Sequence, residues 1–301
     1  MNSSSAPPPY ILRTPKGTLS PFVFAAPHSG RYYPPDFTAR AILDSVGLRQ
    51  SEDAFVDRLF KNVCDHGGTL LVATHARAYL DLNRAADELD PTMFSPRLAE
   101  EGLNLSHRVK AGLGLVPKVI AEGVPIYKAP LPAREAEKRI TAVHTPYHQK
   151  LKQLLAERRE RFGVAFLIDC HSMPTEGGKR RSKRRRGPDI VLGDSWGSAC
   201  KRELTSAAEE LFINADFRVR RNVPYSGGFS TIHYGKPHDN IHALQIEISR
   251  SIYMDECSQT ELPEFAEVQQ TLVNASAQLI DRLSPRKQPF VRSRGLPRAA
   301  E

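Results

Sequence analysis

The stretch that most constrains this chain is Val164-Ala165-Phe166-Leu167-Ile168-Asp169-Cys170-His171-Ser172. An uninterrupted apolar run over residues 164–168 gives way at once to residues with chemical function. A short continuous apolar run reads as a strand buried on both faces, the kind found in the middle of a largely parallel α/β sheet. In such sheets, ligands and reactive groups gather just beyond the carboxyl ends of the strands. The stretch therefore predicts an α/β fold and sets His171 where chemistry takes place. A lone histidine there would serve equally well as a core residue at a strand end. What shifts the balance is that the pattern recurs: residues 19–26 read as another strand and run into Pro27-His28-Ser29-Gly30. Two parallel neighbours that each deliver a histidine at the carboxyl end put two imidazoles on one rim, a metal-site geometry with histidine ligands.

Carboxylates and guanidinium groups follow. Ser51-Glu52-Asp53 opens a helical stretch over residues 54–64, with Phe55, Leu59, Phe60 and Val63 at helical spacing. Ser51 or Asp53 suits the N-cap, and a carboxylate metal ligand is the rival role for Asp53. Asp57 lies one turn further on, where a solvated or ion-paired helix residue is also expected. A strand over residues 69–74 leads into a segment carrying Arg77 and Arg84. Two arginines near a metal rim suit a substrate that bears a carboxylate, because guanidinium pairs bidentately with it. Residues 132–161 read as a helical hairpin broken near Thr145-Pro146, and it feeds the 164–168 strand as a β-α-β crossover. Further strands are expected at residues 188–194, 217–219 and 241–249, with helices at 200–212 and 265–283. Glu247 lies inside the apolar strand 241–249. A buried glutamate is costly unless paired or metal-linked, and the same desolvation can tune it toward general-base work.

Composition bounds the rest. The 40% hydrophobic and 25% charged residues are ordinary for a soluble globular chain of 301 residues. No 18-residue apolar run suggests a membrane span, and the first residues lack the features of a signal peptide. The four cysteines form no C-x-x-C pair, which argues against a disulfide framework and fits a reducing cytoplasm. The net charge of +8 is concentrated in Lys179-Arg180-Arg181-Ser182-Lys183-Arg184-Arg185-Arg186. Such a block reads as a solvated loop, and no interleaved aromatics support a nucleic-acid platform. The expected organisation is a disordered stretch at residues 1–10, one domain over 11–284 with a basic loop insert at 179–187, and a flexible basic tail over 285–301.

Taken in order, Pro27-His28-Ser29-Gly30, the segment from Asp53 to Leu59, the segment from Arg77 to Arg84, Gly112-Leu113-Gly114, Pro146-Tyr147-His148, Asp169-Cys170-His171-Ser172 and Leu192-Gly193-Asp194 resemble the N-formylglutamate amidohydrolases. The most specific part is Gly227-Gly228-Phe229-Ser230-Thr231-Ile232-His233-Tyr234-Gly235-Lys236-Pro237 followed by His242-Ala243-Leu244-Gln245-Ile246-Glu247-Ile248. The resemblance implies a three-layer α/β sandwich with a mixed, mostly parallel sheet, similar to the zinc carboxypeptidases. It implies hydrolysis of N-formyl-L-glutamate to formate and glutamate, one Zn2+ per chain, and a small N-acyl amino acid as the partner. His28 and His171 look like zinc ligands, with Asp53 as the carboxylate ligand and Asp57 as the alternative. Glu247 resembles the general base, Arg77 a group near the oxyanion, and Asn83 with Arg84 the pair that holds a substrate carboxylate. Tyr225, Gly227 and Gly228 are expected at the substrate. Two departures stand out. Arg31 occupies the place of the glutamate in the peptidases' H-x-x-E pair, and Pro224-Tyr225-Ser226 replaces an Arg-Phe-Lys expected before the glycines. The second departure keeps open a different N-acyl amino acid, or a peptide, as substrate. A non-catalytic protein binding RNA or an acidic partner through the basic run is the reading from another class.

Overall fold

The computed structural model describes residues 6–121, 123–175 and 187–285. The basic run and the C-terminal tail lie outside the described residues, apart from the flanking positions 187 and 285. Seven strands build the central sheet: β1 (Tyr10–Arg13), β2 (Phe22–Ala26), β3 (Thr69–Ala73), β4 (Ala165–Met173), β5 (Ile190–Gly193), β6 (Val219–Arg221) and β7 (Ile241–Ser249). Their spatial order is β1-β3-β2-β4-β7-β5-β6. The run β3-β2-β4-β7 is parallel, β1 and β5 join it antiparallel, and β6 lies parallel to β5. The expected mixed, mostly parallel sheet is present, and its two histidine-bearing strands are neighbours, with Ala25 beside Asp169. Tyr10, placed by the sequence in a disordered stretch, begins an edge strand instead. Ahead of it, Pro8 and Pro9 lend their carbonyls to Thr74.

Every residue of β2, β3 and β4 is buried. Alternation along each strand sorts the side chains. Phe22, Phe24, Phe166, Ile168, Cys170, Leu244, Ile246 and Ile248 form one apolar layer beneath α1 (Val56–Leu59), α4 (Arg202–Asn214) and α6 (Phe265–Leu283). Val23, Ala25, Ala165, Leu167 and Ala243 form the other, beneath α3 (Thr145–Phe162), with α5 (Phe229–Tyr234) near its polar end. Asp169 and His171 continue the face of Ala165 and Leu167, and Gln245 and Glu247 continue the face of Ala243. One face of the sheet thus changes from apolar to polar along the strands, and the change marks the site.

The helix entering β4 departs from the expected hairpin. α2 (Arg134–Arg139) passes through a π-helical turn, Ile140–His144, directly into α3. Pro146 lacks the N–H that the preceding turn needs, and a widened turn absorbs the defect without breaking the helix. The stretch after Asp53 is less helical than its periodicity suggests: four residues of α1 precede a 3-10 segment, Lys61–His66. Among the described residues, no helix is long and apolar enough to cross a membrane.

Candidate metal centre and active site

His28 follows β2 and His171 lies within β4, so the parallel pairing of these strands brings the two rings to a centroid separation of 4.7 Å. Both turn Nδ1 toward the same oxygen, Asp53 Oδ2, at 3.2 Å from His28 and 2.9 Å from His171. Asp53 is no helix cap. The backbone N–H of Asp53 donates to the His28 carbonyl at 3.0 Å, which pins its loop against the end of β2. Asp57, the alternative carboxylate, pairs with Arg31 at 2.6 Å instead and is not part of the cluster.

The far nitrogen of each ring also meets a carboxylate. His28 Nε2 donates to Asp81 Oδ1 at 2.7 Å. His171 Nε2 stands 3.1 Å from Asp169 Oδ1, a buried oxygen with no hydrogen bond of its own. With Nε2–H held toward Asp169, a metal that displaced the Nδ1 proton would meet the Nδ1 lone pair, the arrangement in which an outer carboxylate fixes the tautomer of a metal-ligating histidine. The ligand atoms of His28, Asp53 and His171 all lie within 4.8 Å of one another and are buried. Two imidazole nitrogens and a carboxylate oxygen suit a divalent metal, and this group can hold one.

Charge inside the cluster is tightly balanced. Burial pushes Asp53 up, but hydrogen bonds from His171 and His28 outweigh it and hold the carboxyl well below its ordinary value. Burial drives His171 down, and the charge of Asp169 beside it outweighs that, holding the imidazole well above its usual value. Asp81 is likewise held low, against its burial, by Arg77, Arg84 and His28.

Glu247 is the register partner of His171 on the neighbouring strand. Burial pushes its pKa up to about 7, against the pull of His171. Gln245, on the same face, donates to Glu247 Oε1 at 2.9 Å and accepts from the Gly228 N–H at 2.7 Å. A Cβ at Gly228 would fall 2.2 Å from Asn83 Nδ2, so the close approach of this loop needs glycine. Asn83 reaches His171 Nε2 with Nδ2 at 3.2 Å and accepts from the Ser230 N–H at 2.8 Å. Arg84 is only 3% exposed; Nε and Nη1 donate to the carbonyls of Leu113 and Asn83, and Nη2 has no hydrogen-bond partner. Arg77 donates through Nε to Asp81 Oδ2 at 3.0 Å, and among the described residues its two Nη atoms make no hydrogen bond. Tyr225 is half-buried, and burial followed by the nearby Glu247 carboxylate raises its pKa.

Residues 20–254 match the model of the N-formylglutamate amidohydrolase family. The chain belongs to that family. The N-formylglutamate deformylase of Pseudomonas aeruginosa is 30% identical over 249 residues, spanning 82% of this chain and 86% of the relative. That of Pseudomonas putida is 30% identical over 254 residues, with the same coverage. The crystal structure of N-formylglutamate amidohydrolase from Ralstonia eutropha superposes with a TM-score of 0.84 at 34% identity, covering 91% of this chain and 99% of that one. As a member of the N-formylglutamate amidohydrolase family, the protein is a hydrolase, and its buried His-Asp-His group is the centre around which the remaining polar residues gather.

Sequence reading picked out His28, Asp53, His171 and Glu247 but gave no role to Asp81, Asp169, Gln245 or Arg250. Two of these carried a signal. Asp169 and Gln245 are polar residues within apolar strands, two positions from His171 and Glu247 and therefore on the same face.

Proposed function

We propose that the protein is a zinc-dependent amidohydrolase that converts N-formyl-L-glutamate to formate and L-glutamate. The observation that carries this reading is the convergence of His28 Nδ1 and His171 Nδ1 on Asp53 Oδ2, with Glu247 as the register partner of His171. The relatives bearing deformylase names supply the substrate.

In this reading His28, Asp53 and His171 hold the metal. A bound zinc ion would supply Lewis acidity, lowering the pKa of water toward ~7. Glu247 takes a proton from the attacking water as its oxygen adds to the formyl carbon, and returns that proton to the amine as the C–N bond breaks. The open Nη atoms of Arg77 donate to the oxygen on which negative charge develops; a preorganised donor of this kind is worth about 3 kcal/mol. Arg84, whose Nη2 stands 3.7 Å from Asp81 Oδ2, is assigned to the substrate's α-carboxylate by the family resemblance. Asn83 packs its amide 3.2 Å from His171 Nε2, and Tyr225, Gly227 and Gly228 are assigned to the side chain of the substrate.

The experiment is elemental analysis of protein purified without chelator, paired with a formate-release assay on N-formyl-L-glutamate. About one zinc per chain with turnover is the expected result. Zinc without turnover would remove the substrate and send the search to other N-acyl amino acids, with Pro224-Tyr225-Ser226 as the reason. Neither metal nor turnover after adding zinc back would overturn the reading.

A further inference from the structure

Asp53 is an awkward place for a metal ligand. It belongs to no helix or strand, and two residues later Phe55 adopts a left-handed backbone at φ 66°. A ligand on an irregular loop needs an outside brace, since precise sites rest on residues whose neighbours lock them. The brace comes from nearly two hundred residues along the chain.

Arg250 follows directly on β7 and opens a 3-10 turn, Arg250–Ile252. Its guanidinium spends its donors on the Asp53 loop and on β4. Nη2 donates to the Glu52 carbonyl at 2.7 Å and to Asp53 Oδ1 at 3.3 Å, Nη1 to the Gln50 carbonyl at 3.3 Å, and Nε to Ser172 Oγ at 3.2 Å. Just beyond the turn, the buried Tyr253 hydroxyl donates to the Ala54 carbonyl at 2.9 Å. The loop is held on both sides of Asp53 by residues that follow the strand bearing Glu247. The two oxygens of Asp53 are thereby given different work: Oδ2 faces both imidazoles, and Oδ1 is held by Arg250.

We propose that Arg250 is a positioning residue that presents Asp53 to the metal through Oδ2 alone and sets the distance between the ligand loop and the His171 strand. This role rests on the metal-dependent reading above. A lysine cannot replace it, because a single ammonium has no planar fork with which to hold two backbone carbonyls, a carboxylate and a hydroxyl in fixed directions.

The sign of the effect separates positioning from plain electrostatics. Arg250 is a cation beside a site for a cation, so removing its charge would by Coulomb's law alone tighten metal binding. Removing a brace loosens it. The test uses the full chain as wild type, Arg250→Met and Arg250→Lys. Zn2+ affinity is measured by competition with a chromogenic chelator, and thermal melts are recorded on the metal-free forms. The methionine variant is expected to bind Zn2+ about 10–100-fold more weakly, and the lysine variant to fall between it and wild type. Affinity in Arg250→Met equal to or tighter than wild type overturns the proposal, and a lower melting temperature at unchanged affinity does so too, because it marks a purely structural role. If the methionine variant fails to fold, the lysine variant decides, and wild-type affinity there overturns the proposal. A wild type that binds no Zn2+ overturns the metal-dependent reading, and this role with it, a failure distinguishable because no variant enters into it.

Discussion

At the scale of single residues, the site depends on groups that are expensive to bury. Glu247 lies on a strand buried along nearly its whole length, and removing a carboxylate from water costs several kcal/mol unless something offsets it. Here the offsets are the Gln245 amide and the charge of His171. A buried carboxyl kept at that cost, with its pKa moved to about 7, suits the proton transfer proposed for it. Glu247→Gln keeps the size of the side chain and removes the proton acceptor. Turnover of N-formyl-L-glutamate is expected to fall by a factor of about 10²–10⁴ with zinc content unchanged. Formate release within a few-fold of wild type would end the assignment of Glu247 as the base. Gly228 makes a second point at this scale. Its missing side chain is what lets Asn83 lie against the loop, and Gly228→Ala is expected to cost about 1–3 kcal/mol as Asn83 and then His171 give way. Urea unfolding measures the loss, and a change below about 0.5 kcal/mol would show that the loop yields freely.

At the scale of elements, a strand that is apolar along its length declares itself, because few local structures accommodate it. Ile241–Ser249 and Phe265–Leu283 occupy the spans their patterns predict. Polar residues inside such strands were legible for the same reason, which is how His171 and Glu247 came forward. What the pattern could not contain is pairing across distance. Asp81 meets His28 from 53 residues away, and Arg250 meets Asp53 from 197. Nothing in the local sequence of a loop says which strand end it will lie against. The α2–α3 passage shows another limit: Pro146 reads as a break, yet the packing of Tyr147, Leu151 and Leu155 keeps the helix going. That helix carries a histidine pair with its own consequence. His148 bridges the Leu82 carbonyl and the Tyr234 hydroxyl, and His144 reaches the Arg84 carbonyl. Burial, and then the neighbouring His144, push His148 down to about 3. A histidine that stays neutral in the fold but takes up a proton when unfolded stabilises nothing in acid. Its penalty is absent above the unfolded value of about 6.5 and grows as pH falls toward about 3. Between pH 6.5 and 4.5 that amounts to at most about 2.7 kcal/mol. His148→Gln, measured by urea unfolding of the metal-free protein across that range, is expected to lose up to one proton's worth of the acid slope. An unchanged slope would show that His148 is protonated in the fold.

At the scale of the whole molecule, the proposed metal ligands sit at a junction of separate parts. His28 comes from the end of β2, Asp53 from the loop before α1 and His171 from β4, a strand reached only after α3 has crossed the sheet. The unfolded chain cannot present these three groups together, so an ion bound to them favours the folded state by RT ln(1 + [L]/Kd). At a free metal concentration about 100 times Kd this is about 2.7 kcal/mol, and for a domain of this size each kcal/mol raises the melting temperature by about 2–4 °C. Zinc added to chelator-stripped protein is therefore expected to raise Tm by about 5–11 °C. His171→Ala is expected to abolish the rise, because one ligand is gone and Asp53 loses one of the two imidazoles that hold its charge. The comparison also reports where the coupling runs. An ion that tied down only the Asp53 loop would protect that loop from hydrogen exchange and leave the global melt unmoved. A shift of the single global transition would mean that both histidine strands and the helices packed on them melt as one unit, with the centre among their shared supports. A wild-type Tm insensitive to zinc at saturating concentration would exclude that coupling.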